Sequence, residues 1–143
     1  MAKKHVVCSF DFEHDKRYYY LLKAWDKNPN IDFYMSDCTP KEIESDDVAT
    51  IKRVLSSKIG EAKYMVAIIG KHSNDLHKDS KKIGYKNWQS YEIAKNNEKE
   101  NGLVVVRLDD ANVVPDEAYG VNAEWVRGFD EDKIKKALER LSM

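Results

Sequence analysis

Short apolar runs rich in β-branched residues alternate with helical patterns along this chain, and that alternation predicts an α/β domain. Two further observations sharpen the expectation. The runs at residues 6–10, 64–69 and 103–106 are nearly continuous in apolar character, as in strands buried on both faces of a parallel sheet. Right-handed crossovers then leave few topologies. The order 2-1-3-4-5 fits best, giving a three-layer domain of flavodoxin-like form.

The elements follow in order. Val6-Val7-Cys8-Ser9-Phe10 reads as the first strand, ended by the acidic stretch from Asp11 to Asp15. Tyr18, Leu21, Leu22 and Trp25 recur at helical spacing, with Asp15 as the expected N-cap and Tyr18 as the buried tyrosine of its triplet. Asn28-Pro29-Asn30 breaks the helix, and residues 31–35 form a short second strand. After a polar connection containing Pro40, Val48, Ile51, Leu55, Ile59 and Ala62 mark a second helix. Tyr64-Met65-Val66-Ala67-Ile68-Ile69 is the clearest strand, and Gly70 ends it.

Residues 71–87 are long, polar and basic, without an apolar period, and read as a functional or mobile loop. Residues 88–101 form a helix with Gly102 as its stop, and residues 103–106 the fourth strand. The stretch 109–125 is the least legible, with a short fifth strand expected near residues 121–126. Ile134, Ala137, Leu138 and Leu141 define a last helix capped by Asp130 or Asp132. A chain of 143 residues without repeats or low-complexity tracts is read as one domain spanning 1–143.

Composition narrows the function classes. With 24 basic and 25 acidic residues, no global field draws the protein to nucleic acid or anionic lipid. No apolar run reaches membrane-spanning length, and the N-terminal apolar stretch is too short for a secretory signal. A soluble, cytoplasmic protein is expected. Cys8 and Cys38 show no metal or disulfide spacing. Cys8 reads as a buried hydrophobe. Cys38 is a candidate reactive thiol with only Lys41 near it in sequence. His72, His77, Asp75 and Asp79 fit no usual metal pattern, so no metal is expected. His14 reads as an exposed loop residue.

In such a sheet, ligands bind beyond the carboxyl ends of the strands where the strand order reverses, here between strands one and three. The loops 9–15 and 70–87 then flank the site. The first lacks the glycines of a dinucleotide-binding turn, and no Walker loop is present. Strand three ends Ile68-Ile69-Gly70-Lys71, without the aspartate a phospho-receiver needs.

Trp88 and Glu92 lie four apart on the helix rising from the second loop. A carboxylate beside an indole in a low-dielectric cleft can stabilise a developing cation. Cleavage of a ribose–pyridinium bond generates one, as glycoside hydrolysis does. Taken alone, the pair is more often a packed tryptophan and a solvated carboxylate. Phe12 lies past the strand end and can stack on a base. Phe10 continues the strand and reads as core.

The stretch Gly84-Tyr85-Lys86-Asn87-Trp88-Gln89-Ser90-Tyr91-Glu92-Ile93-Ala94 resembles the TIR-domain motif in which a tryptophan precedes the catalytic glutamate by four residues. Val7-Cys8-Ser9-Phe10-Asp11, Ile51-Lys52-Arg53-Val54-Leu55 and Val66-Ala67-Ile68-Ile69-Gly70 resemble the TIR-like family of Thoeris anti-phage defence. The resemblance implies NAD as substrate, cleaved at its nicotinamide–ribose bond, with no tightly bound cofactor. It implies an ADP-ribose-derived, often cyclic, signalling nucleotide and a separate effector protein that responds to it. It places Glu92 as the catalytic carboxylate and Trp88 as a pocket wall, with Ser9, Phe10 and Asp11 around the nicotinamide ribose. Self-association or a phage-derived trigger is expected to complete the cleft. The competing reading is a non-catalytic assembly or nucleotide-sensing module on the same fold.

Overall fold

The computed structural model describes residues 3–43 and 45–143. Five parallel strands, β1 (Lys4–Ser9), β2 (Phe33–Asp37), β3 (Tyr64–Ile69), β4 (Gly102–Arg107) and β5 (Ala123–Arg127), lie in the order β2-β1-β3-β4-β5. The helices are α1 (Phe12–Lys23), α2 (Val48–Glu61), α3 (Ser80–Ile83), α4 (Trp88–Glu98) and α5 (Glu131–Leu141). The expected topology is therefore the observed one.

Successive strand residues point to opposite faces, so each central strand feeds two cores. Val6, Cys8, Val66, Ile68, Val104 and Val106 meet Tyr19 and Leu22 of α1 and Ile134 and Leu138 of α5. Val7, Met65, Ala67, Ile69, Leu103 and Val105 meet Ile51, Leu55 and Ile59 of α2 with Tyr91 and Ile93 of α4. Each fully buried Val, Leu or Ile contributes about 1.5–3 kcal/mol of apolar transfer. Burial on both faces explains why these strands read as continuous apolar runs.

Several local expectations are corrected. Asp11, not Asp15, caps α1; its carboxylate accepts from the Glu13 amide at 3.1 Å. The helix thus starts one turn earlier, and Asp15 becomes a buried residue of its first turn. The buried face is set by Asp15, Tyr19 and Leu22, so Tyr19 replaces Tyr18 in the core and Leu21 is exposed. Three consecutive tyrosines give no phase, which is why the register slipped by one residue. Gly102 does not stop α4 but opens β4. The left-handed residue after the helix is Glu100, at φ 58°. Gly102 is needed for close packing, because a Cβ there would meet Tyr64 at 3.1 Å and Leu141 at 3.2 Å.

The connection from β3 to α4 is more structured than its composition suggested. It carries α3, and Ile83 is fully buried against the α2–α4 layer. Asn87 ties its other end: Nδ2 donates to the carbonyls of Ser73 (2.9 Å) and Asp75 (2.8 Å). One isoleucine in a polar run produces no period, so this anchor was invisible in the sequence. The fifth strand is present at residues 123–127, with Asp130 capping α5.

Gly70 closes β3 at a close approach. The carboxyl carbon of Asp15 stands 2.6 Å from where a Cβ would sit. Gly70→Ala is therefore expected to cost about 1–3 kcal/mol by overpacking, measured by thermal or denaturant unfolding. Asp15→Ala should recover most of that loss in the double variant. Additive losses would show that the alanine clashes elsewhere.

Candidate functional site

A cleft of about 550 Å³ lies beyond the carboxyl ends of β1 and β3. That volume lies within the usual range for small-molecule sites. Three walls form it. The turn into α1 supplies Asp11, Phe12 and His14, with Phe10 at its base. The start of the β3–α4 connection and the first turn of α4 supply His72, Ser73, Asn87, Trp88 and Gln89. The β2–α2 connection supplies Thr39, Pro40, Lys41 and Ile43. Sequence reasoning singled out only Cys38 on this connection and none of its lining residues, because a polar stretch with one proline carries no site signal. The strand order alone brings it beside β1.

Local chemistry sets each wall. Asn87 caps α4 by accepting from the Ser90 amide at 2.9 Å, which fixes Trp88 as the first helical residue. Trp88 is half-buried, its ring edge-on to Tyr91 at 5.7 Å. The Tyr91 hydroxyl donates to the Lys52 carbonyl at 2.9 Å, anchoring α4 on α2. Phe12 is half-buried and lies under the Lys16 and Lys41 ammonium groups at 5.5 and 5.9 Å, so its ring already attracts cations. Phe10 is 3% exposed and stacks on Tyr19 at 4.9 Å. It is core with one edge on the cleft.

Two histidines bridge the walls at the mouth. His14 and His72 stack with ring centroids 3.9 Å apart. Each pairs through Nδ1 with a carboxylate, His14 with Asp11 at 2.7 Å and His72 with Asp75 at 2.8 Å. The Asp11 hydrogen bond raises the His14 pKa above its ordinary value. His14 is thus a helix residue in a specific pair rather than a free loop histidine.

Glu92 and Ser9 lie beneath the cleft rather than on its surface. Glu92 is 1% exposed and Ser9 fully buried. The Ser9 hydroxyl donates to Glu92 Oε1 at 2.6 Å. Oε2 has no hydrogen-bond partner among the described residues. Burial pushes the Glu92 pKa well above the usual carboxylate range. The Ser9 hydrogen bond opposes that rise, Asp37 adds to it and Lys58 opposes it weakly.

Cys8 and Cys38 are fully buried beside this group, and burial drives both thiols well above their ordinary pKa. Burial thus sets Cys38 against the role of a reactive thiol, in line with the lack of any flanking cation beyond Lys41 in the sequence.

The structure thus brings together Asp11, Phe12, Trp88 and the edge of Phe10 on the cleft, with Ser9 and Glu92 one layer below. Gln89, which the sequence reading quoted but did not single out, joins the two layers. Its Nε2 donates to the carbonyls of Ile68 at 2.8 Å and Ser9 at 3.2 Å.

Among solved structures, the chain is similar to a 2-desoxiribosyltransferase from Leishmania mexicana, with a TM-score of 0.51 and 13% identity. That match covers 74% of this chain and 65% of the transferase, so this chain spans less than two thirds of its length. It is also similar to a 3-dehydroquinate dehydratase-like protein from Bifidobacterium longum, with a TM-score of 0.49, 14% identity, and coverage of 99% and 96% of the two chains. The first is a likeness of fold alone. No curated protein is significantly similar. No helix among the described residues is long and apolar enough to cross a membrane. The family described as Thoeris protein ThsB, TIR-like domain, matches residues 7–113, which carry the end of β1, all of β2 to β4 and the cleft built on them, and the chain belongs to that anti-phage defence family.

Proposed function

We propose that the chain cleaves NAD at its nicotinamide–ribose bond, with Glu92 as the catalytic carboxylate. The observation that carries this reading is a buried carboxyl group with one oxygen held by Ser9 and the other without a hydrogen-bond partner among the described residues, beneath the strand-order crevice. In the reaction the bond between the ribose C1′ and the pyridinium nitrogen breaks. The electron pair stays on nitrogen, so nicotinamide leaves neutral. The ribose carbon becomes oxocarbenium-like and is captured by water, which loses a proton, or by a nucleophile within the same ADP-ribose.

Glu92 must be ionised to stabilise that centre. A cationic pyridinium ring and ribose hydroxyls brought next to it favour the charged form. Substrate binding is therefore coupled to release of the Glu92 proton. Trp88 and Phe12 flank the flat rings, and water exclusion strengthens the field of the carboxylate.

One observation favours a second reading. Glu92 does not reach the cleft surface, as expected of a module that binds a nucleotide without turning it over.

The test is chromatographic detection of nicotinamide from NAD with the purified chain, with calorimetric NAD titration in parallel. Release is expected, with specific activity rising on self-association across a wide protein-concentration range followed by mass photometry. A cleft open on one side is completed by a second subunit or by a phage component. NAD binding without release at any concentration, and also with lysate of infected cells, would establish the sensing module instead. In the catalytic reading the ADP-ribose-derived product signals to a separate effector protein.

A further inference from the structure

Gln89 lines the cleft, and Glu92 lies behind it, one turn further along the same face of α4. At the ends of two parallel strands the last carbonyls run out of ladder partners. Gln89 supplies them. Both of its N–H donors are spent on strand-end carbonyls, one on β1 and one just before the end of β3. Those two acceptors fix the amide orientation, since a flipped amide would set oxygen against oxygen.

The network continues in both directions. The Ile68 carbonyl also accepts from Ser73 Oγ at 3.3 Å, and Ser73 Oγ accepts from the Gly70 amide at 2.9 Å. Ser9, held at its carbonyl by Gln89, directs its hydroxyl at Glu92. Within this network, Gln89 Oε1 and Glu92 Oε2 are buried without a hydrogen-bond partner among the described residues. Both come from one helix face, and Gln89 is only 6% exposed. Unmet buried acceptors are costly, so they mark where an incoming group with paired donors is rewarded.

We propose that Gln89 is a positioning residue that latches Glu92 away from the cleft, and that a ligand reaches the carboxyl group by presenting vicinal hydroxyl donors that displace the amide. This rests on the catalytic reading of Glu92 for its ligand, but not for its physical content. The Gln89 side chain keeps water from Glu92. Opening it admits both solvent and the diol of a ribose. The latch therefore holds the carboxyl group neutral while the site is empty and releases it for ionisation once the substrate is seated.

The other groups facing Glu92 are Asp37 at the end of β2, Lys58 on α2, Cys8 on β1, Cys38 after β2 and Tyr91 on α4 itself. All of them remain when Gln89 is changed, so a shift in Glu92 reports the wall alone.

The test is a carboxyl-carbon NMR titration of protein labelled at glutamate, with the Glu92 signal assigned by its loss in Glu92→Gln. Gln89→Ala is expected to lower the Glu92 midpoint by roughly one pH unit or more, because solvent enters. Gln89→Met fills the same space without hydrogen bonds and is expected to leave the midpoint raised. An unchanged midpoint in Gln89→Ala overturns the proposal. Equal falls in both variants overturn it too, since the cause would then be loosened strand ends. If Gln89→Ala fails to fold, Gln89→Ser, which keeps one donor for the strand carbonyls, takes its place with the same criteria. The titration needs no turnover, so it decides the latch even if the parent does not cleave NAD. Absent nicotinamide release would count only against the catalytic reading.

Discussion

Glu92→Gln is expected to lower nicotinamide release from NAD by about 10²-fold or more, the scale of losing one preorganised electrostatic group. The amide keeps the shape of the side chain and can still accept from Ser9 Oγ, whose bond to Oε1 is 2.6 Å. What it loses is the capacity to carry a negative charge beside the ribose. Since charge matters only as the cation develops, NAD affinity should change far less than turnover. Single-turnover rates and calorimetric affinity for parent and variant separate the two. Full cleavage by the variant would end the oxocarbenium account and leave Glu92 a buried structural acid.

The same substitution has a stability signature that does not depend on substrate. Burial raises the Glu92 pKa well above the ordinary glutamate value of 4.5. Between that value and the folded midpoint, the folded chain holds a proton that the unfolded chain has lost. Parent stability therefore falls as pH rises through this window, by up to about 1.4 kcal/mol per pH unit for one proton. Glutamine does not titrate. The stability difference between Glu92→Gln and the parent should thus move in favour of the variant from about pH 5 upward and level off above the folded midpoint. Asp15, whose pKa is also raised by burial, changes both proteins alike and cancels in the comparison. Paired unfolding curves across pH 5–9 measure it. A difference that stays constant would mean that Glu92 ionises as readily in the fold as out of it.

The parallel sheet was legible because burial on both faces writes itself as continuous apolar runs, and the strand order followed from handedness. Element ends were less legible. Asp11 and Asp15 are equally good caps by type, and the choice goes with the buried face of Asp15, Tyr19 and Leu22, which is tertiary packing. The glycine expected to stop α4 belongs instead to a tight β4 contact, a role set by Tyr64 and Leu141 far along the chain. Such contacts have no local trace in sequence.

The site was legible in outline for the same reason. Once the order 2-1-3-4-5 is accepted, the crevice and the helix carrying Trp88 and Glu92 are fixed. Depth was not legible. A spacing of four puts two residues on one helix face but does not say that Trp88 meets the cleft while Glu92 lies under Ser9 and Gln89. Nor does it mark Gln89, whose role comes from two carbonyls on separate strands. A glutamine inside an otherwise buried helix face was the available signal, since an amide is rarely buried without acceptors to meet it.

Trp88→Ala separates packing from chemistry on that helix. The indole opens α4, meets Tyr91 edge-on at 5.7 Å and packs against the α2–α4 core from a half-buried position. Removing it should cost about 2 kcal/mol, less than the 3–5 kcal/mol typical of a fully buried ring. It should also lower NAD affinity and turnover, each by roughly 10-fold, because the cleft loses a flat apolar wall and admits water near the carboxyl group. Trp88→Phe keeps an aromatic face and should restore most of the stability and part of the affinity. Unfolding, calorimetry and nicotinamide release on the three proteins give all the needed quantities. A large stability loss with unchanged affinity and turnover would assign Trp88 to packing alone, and the wall of the cleft would then rest on Phe12 and the β2–α2 connection.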